Sequence, residues 1–173
     1  MERRVVTTNR DCAARLVPTG DPLTIPAGSF VTLTQALGGT FTVVHQGNMA
    51  RISGADADAI GMQVEALEFS ASDKQPDPDH IEQALSSVYD PEIPVNIRDL
   101  GLIYNVAVSA DEVTVDMTLT APGCGMGPVL VAEVEERLLQ VPGINNVSVD
   151  LVFDPPWQRH MMSEAAQLEL GLF

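Results

Sequence analysis

A change of hydrophobic period divides this chain and sets most of what it can fold into. Between residues 23 and 69 apolar residues alternate with period two; from residue 77 a period near 3.6 enters and is interleaved with further period-two runs. In the first part Val31 and Leu33 alternate with Thr32 and Thr34, and Gly38-Gly39 supplies a hairpin turn. Residues 40–44 and 49–52 follow as strands separated by Gln46-Gly47-Asn48, and residues 56–60 read as one helical turn. The expectation is a small β unit over 23–69. A loose polar arm over 1–22 precedes it, broken by Pro18-Thr19-Gly20-Asp21-Pro22, and a solvated linker over 70–76 follows.

In the second part Asp77 can cap a helix that has Pro78 at its first position, with Ile81, Ala84, Leu85 and Val88 on one face. That helix must stop at Asp90-Pro91, because a residue before proline is driven out of the α region. Leu102, Tyr104, Val106 and Val108 predict a strand with one face. Val113, Val115, Met117 and Leu119 predict a second, with Thr114, Asp116, Thr118 and Thr120 opposite. Pro128 opens a helix striped by Leu130, Val131, Val134 and Leu138, and Val147, Val149 and Leu151 mark a third strand. The order α-β-β-α-β predicts an α/β (α+β) domain over 77–160. Its mixed three-stranded sheet is covered on one face by two helices, with strands two and three parallel through a right-handed crossover. Met161, Met162, Ala165 and Leu168 predict an amphipathic helix in the tail, 161–173.

Charge follows the same division. Residues 1–75 carry 8 acids and 6 bases, whereas residues 76–173 carry 16 acids and 3 bases, so nearly all of the net −15 belongs to the second part. Such a surface repels nucleic acid and anionic membrane, both of which need a positive footprint. No run approaches the 18 apolar residues of a membrane span, and Met1 to Arg10 lacks the apolar stretch of a secretory signal. A cytoplasmic location is expected, with Cys12 and Cys124 kept as thiols.

Three places offer chemistry. The loop Ala121-Pro122-Gly123-Cys124-Gly125-Met126-Gly127 sets one cysteine among glycines just before a helix start. A helix N-terminus favours thiolate over thiol, and glycines let a ligand approach the backbone, so a nucleophile or soft-metal ligand suits the position. A small buried cysteine in a tight turn suits it as well. The loop lacks the lysine and Ser/Thr of a phosphate-binding loop, and no C-x-x-C pair exists for zinc or ferredoxin-type ligation. Next, Asp90-Pro91-Glu92-Ile93-Pro94, followed by Asp99-Leu100-Gly101, forms an acidic corner suited to hard oxygen ligation, to partner contact or simply to ending a helix. Last, Phe153-Asp154-Pro155-Pro156-Trp157 carries the lone tryptophan, which can pin the C-terminal segment, wall a pocket or anchor an interface. His45, His80 and His160 are scattered, and His160 is the first to examine as a partner of Cys124.

DPEIPVNIRDLGLIYNV (90–106), the Thr-rich strand into TAPGCG (120–125) and DPPW (154–157), in this order, closely resemble the metal–sulfur cluster biosynthesis domain family. That family includes SufT-type iron–sulfur cluster assembly proteins, eukaryotic targeting relatives and PaaD-type assembly factors. LTIPAGSFVTLTQALGGTFTV and ARISGADADAIG resemble the extension that marks SufT proteins, and the cysteine-rich PaaD-type tail is absent. The resemblance implies an accessory, non-enzymatic role in iron–sulfur protein maturation. It places the family's reactive cysteine on Cys124 and its acidic signature on Asp90 and Glu92. Asp99, Thr118, Thr120, Gly123, Gly125 and Trp157 match the motifs around them. The implied cargo is an iron–sulfur cluster or iron, held transiently, and the implied partners are assembly machinery and client apoproteins. One thiolate cannot fill the four protein positions typical of a cluster site. A homodimer would bring two thiolates, with Asp90, Glu92 or an external thiol to complete the set. Two other readings stand beside this one: a thiol enzyme with Cys124 as nucleophile, and a pure protein-interaction adaptor.

Overall fold

The computed structural model describes residues 3–91, 93–121, 123 and 125–171. They form two compact units, Met1–Ala66 with Pro91–Pro94, and Leu67–Asp90 with Val95–Phe173.

The first unit is a six-stranded antiparallel sheet built from β1 (Arg4–Thr7), β2 (Cys12–Leu16), β3 (Pro22–Ile25), β4 (Phe30–Leu37), β5 (Thr40–His45) and β6 (Asn48–Ile52), in the order β1-β4-β5-β6-β2-β3. The expected strands over 31–52 and the turn at Gly38-Gly39 are all present, and the helical turn forms over Gly54–Ile60. Val31, Leu33, Val43, Ile25 and Ile52 fill the core. The polar arm expected over 1–22 is strand instead. β1 buries almost nothing, so its sequence shows no apolar stripe, and its ladder to β4 supplies what order it has. β2 turns only the small residues Cys12 and Ala14 inward, a faint signal at the sequence level.

The second unit realises the α-β-β-α-β order: α1 (Pro78–Leu85), β7 (Ile103–Ser109), β8 (Glu112–Met117), α2 (Gly127–Leu139) and β9 (Asn146–Leu151), followed by a short turn of helix at Arg159–Met161 and by α3 (Glu164–Glu169). β7 pairs antiparallel and β9 parallel to β8. Val113, Val115 and Met117 are buried, and α2 packs on β9. Asp77 caps α1 as expected, its carboxylate accepting from the Asp79 N–H at 2.8 Å. The residues leading into it, 67–76, are not solvated throughout. Leu67 N–H donates to Gln140 Oε1, Gln83 Nε2 donates to the Glu68 carbonyl, and the Phe69 ring lies 5.1 Å from that of His80.

Three local expectations are corrected. α1 ends at Leu85 rather than at Asp90: Ser86 and Ser87 form a turn in which the Ser87 N–H and hydroxyl donate to the Ala84 carbonyl and the Val88 N–H to that of Leu85. A bulge between Ile103 and Asn105 breaks the single face expected of β7: Ile103, Val106 and Val108 pair with Met117, Val115 and Val113, while Asn105 opposes Asp116. The tail buries Met162 and Ala166, one helical turn apart, rather than Ala165 and Leu168, which are exposed.

Candidate functional site

The glycine-rich loop joins the end of β8 to the start of α2. Thr118 is buried and its N–H donates to the Leu102 carbonyl at 2.8 Å, so the loop leaves the sheet from a fixed point. Thr120 and Gly125 are half-buried, and Gly123 is exposed with φ at +78°, a conformation that only glycine adopts without strain. At the other end Met126 and Leu130 are buried, and Gly127 lies close enough to Leu119 and Leu151 that a Cβ would crowd both. Met126 supplies no side-chain cap, Pro128 sits in the first turn, and no acidic residue stands there. The positive end of a 13-residue helix therefore directly follows the loop. Cys124, Pro122 and Glu92 lie outside the described residues.

The residues on either side of the acidic corner are held by backbone pairing. Its two legs pair across one another: Ile97 N–H donates to the Val88 carbonyl, Tyr89 bridges Asn96, and Asp90 N–H donates to the Val95 carbonyl at 3.2 Å. Asp90 is half-buried at the head of this ladder.

Asp99 and Trp157 have a shared structural task that the sequence did not disclose. The Asp99 carboxylate accepts from Asn96 Nδ2 at 2.8 Å, its N–H donates to Asn96 Oδ1, and its carbonyl accepts from Ser163 N–H. Trp157 Nε1 donates to the Leu100 carbonyl at 2.7 Å. Between these contacts Gly101, at φ +78°, lies so close to Met161 that a Cβ would collide with the Met161 carbonyl. The Tyr104 hydroxyl completes the clasp, donating to the Pro155 carbonyl at 2.7 Å. Thus the Asp-Leu-Gly and Asp-Pro-Pro-Trp motifs, 50 or more residues apart, are two halves of one joint. The signal that was available is Gly101 itself, since a glycine entering a strand marks close backbone approach.

Cys12 belongs to the core of the first unit, with no exposed surface. Burial pushes its thiol up from the ordinary value of 9.0, with Asp56 adding to the effect, so it is held as an inert thiol. The histidines lie on three different elements. His45 lies in β5, His80 is buried in α1 with Nε2 3.3 Å from the Ser70 hydroxyl, and His160 is exposed. Among the described residues no group of three or more His, Cys, Asp or Glu is placed to hold a metal ion. Nor is any helix among them long and apolar enough to cross a membrane.

Residues 78–151, within the second unit, match the family described as iron–sulfur cluster assembly protein. An iron–sulfur protein maturation auxiliary factor of Porphyromonas gingivalis is 54% identical over 92 residues, which span 88% of that protein. The chain belongs to this family. The auxiliary factor SufT of Staphylococcus aureus is 45% identical over 86 residues, 98% of its length. The crystal structure of a domain of unknown function, DUF59, from Bacillus anthracis superimposes with a TM-score of 0.52 at 36% identity, covering 55% of this chain and 92% of that one. The two curated relatives are thus family members matched almost end to end by about half of this chain, 53% and 49% respectively.

Proposed function

We propose that this chain is a cytoplasmic accessory factor that delivers an iron–sulfur cluster or iron to client apoproteins, engaging its cargo through Cys124 and releasing it. The observation that carries this reading is the near end-to-end match to a maturation auxiliary factor at 54% identity. The local structure supports the role given to Cys124. The cysteine lies three residues before the first residue of α2, whose positive end favours a thiolate nearby. A single thiolate makes a weak cluster ligand, as a carrier requires, because a full four-ligand site would retain what it binds. Asp90 and Glu92 are the proposed additional oxygen ligands. A homodimer that pairs two Cys124 thiolates is the proposed loaded form. The β unit over 23–69 serves as the SufT-type extension, joined through 70–76 to the assembly domain over 77–160 and its tail. No turnover of a metabolite is involved.

Anaerobic reconstitution with iron and sulfide tests this directly. The wild-type chain is expected to develop the visible sulfur-to-iron charge-transfer absorption of a cluster and to pass the cluster to an apoprotein, whereas Cys124→Ser does neither. Absence of cluster or iron binding by the wild type, together with undiminished client maturation by Cys124→Ser in cells, would sink the proposal.

A further inference from the structure

At one end of the β7-β8-β9 sheet the second unit holds a groove of about 640 Å³, lined among others by Ile103, Tyr104, Asp116, Val152, Asp154 and Met161. It is an open, solvent-facing depression with room for a side chain rather than an enclosed cavity. The β7 bulge helps to form it. The extra residue, Tyr104, has no register partner and stands beside Asn105, which opposes Asp116, and its hydroxyl is tied to Pro155. The clasp described above holds the other wall.

Two features of this groove point to its occupant. Its walls mix apolar and polar surface and carry two carboxylates, the half-buried Asp116 and the exposed Asp154, and among the described residues neither forms an ion pair. In addition, Asp116 is directly opposite Asp150 on the adjacent parallel strand, a like-charge pair that works against the sheet and that Asp150 likewise leaves unneutralised. Strand alternation turns both to the outward face, where no ion pair among the described residues relieves their repulsion. A cation brought by a partner would relieve their repulsion. The surrounding sequence suits such a partner, since residues 76–173 carry 16 acids against 3 bases.

We propose that this groove receives an arginine side chain from a basic segment of a protein partner. The apolar stretches of wall match the aliphatic stem of arginine, and its planar, weakly hydrated guanidinium presents several donors to carboxylates and stacks on aromatic rings. Lysine, a more strongly hydrated point charge, fits a half-apolar groove less well. The inference rests on the reading that the second unit docks protein partners, and it adds Asp116, Asp154 and Tyr104 to the residues that matter for that docking.

The test is an NMR titration of the full chain, ¹⁵N-labelled, with an acetylated and amidated Ala-Leu-Arg-Leu-Ala peptide. Shift changes are expected to centre on Gly101, Tyr104, Asn105, Asp116, Asp154 and Met161. Asp116→Asn and Asp154→Asn should each weaken binding about tenfold, the scale of one charge-assisted hydrogen bond, and the peptide carrying Gln in place of Arg should not bind. Because Asp116→Asn relieves a like-charge pair, its melting temperature should hold or rise, so its loss of binding is not unfolding. Shifts spread over the whole acidic surface, unchanged affinity in both Asn variants, or equal binding of the Gln peptide would overturn the proposal. Cys124→Ser should leave the titration unaltered, so failure of the cargo mechanism and failure of the groove register in different variants.

Discussion

The two units use the same amino acids to opposite ends. The first is an antiparallel sheet whose core includes a cysteine with no exposed surface, and residues 1–75 are nearly charge-neutral. The second carries most of the negative charge. It closes its helix-covered face with Val113, Val115, Met117, Leu130, Val134 and Leu138, while β8 and β9 turn Thr114, Asp116, Ser148 and Asp150 the other way. Cys12, in period-two alternation with Ala14, becomes core. Cys124, between glycines and ahead of a helix, occupies the position that the family resemblance marks as reactive.

The comparison breaks most readily at the clasp of the second unit. Gly101→Ala places a Cβ against the Met161 carbonyl in a left-handed backbone conformation, and the expected loss is about 2 kcal/mol or more of stability. Urea unfolding measures it, and a loss below about 0.5 kcal/mol would mean that the joint between Asp99–Tyr104 and Pro155–Ser163 contributes little. Trp157→Phe keeps the ring but removes the bond to the Leu100 carbonyl, with an expected loss of about 1 kcal/mol.

In the first unit the corresponding change is quieter. Cys12→Ala should cost about 1 kcal/mol, the scale of removing one buried heavy atom. It should also alter the pH dependence. The folded thiol titrates above its ordinary 9.0, so the folded state holds its proton where the unfolded chain gives it up. That contribution is complete below pH 9.0 and is lost as pH rises toward the folded value. Urea midpoints of wild type and Cys12→Ala should therefore converge between pH 8 and 10 (about one unit on either side of the ordinary value), and parallel curves would contradict a buried thiol. Smallest of all is Asp77. The Ser72 hydroxyl, then the Asp79 N–H, hold its carboxyl below the ordinary 3.8. Its contribution is present above that value and is lost as pH falls through the depressed one. Asp77→Asn should lower the melting temperature slightly at neutral pH, with the gap closing in acid.

These cases also show what was legible in the sequence. Strong alternation at Val113–Leu119 and 3.6-residue spacing at Ile81–Leu85 and Leu130–Leu138 predicted the elements that bury large side chains. β1 and β2 leave little mark in the sequence because their order comes from long-range ladders and from small inward residues. The β7 bulge, which moves Tyr104 out of alternation, has no marker in a run of Ile-Tyr-Asn-Val. At the candidate site Asp99 and Trp157 stand out as motif residues, but their tasks run through the Asn96 side chain, the Ser163 N–H and the Leu100 carbonyl, partners that only the fold brings to them. Asp116 and Asp154 carry no signal of their own, because a polar residue on the outer face of a strand and an acid before two prolines are unremarkable until the fold places both on one groove.

The most direct test of the central claim compares the two cysteines in cells that lack this protein and are supplied with one version of it, reading the activity of a cluster-dependent enzyme. Cys12→Ala is expected to restore activity to the wild-type level, and Cys124→Ser to leave it near that of the empty control. Equal restoration by both variants would contradict the assignment of function to the glycine-rich loop of the second unit.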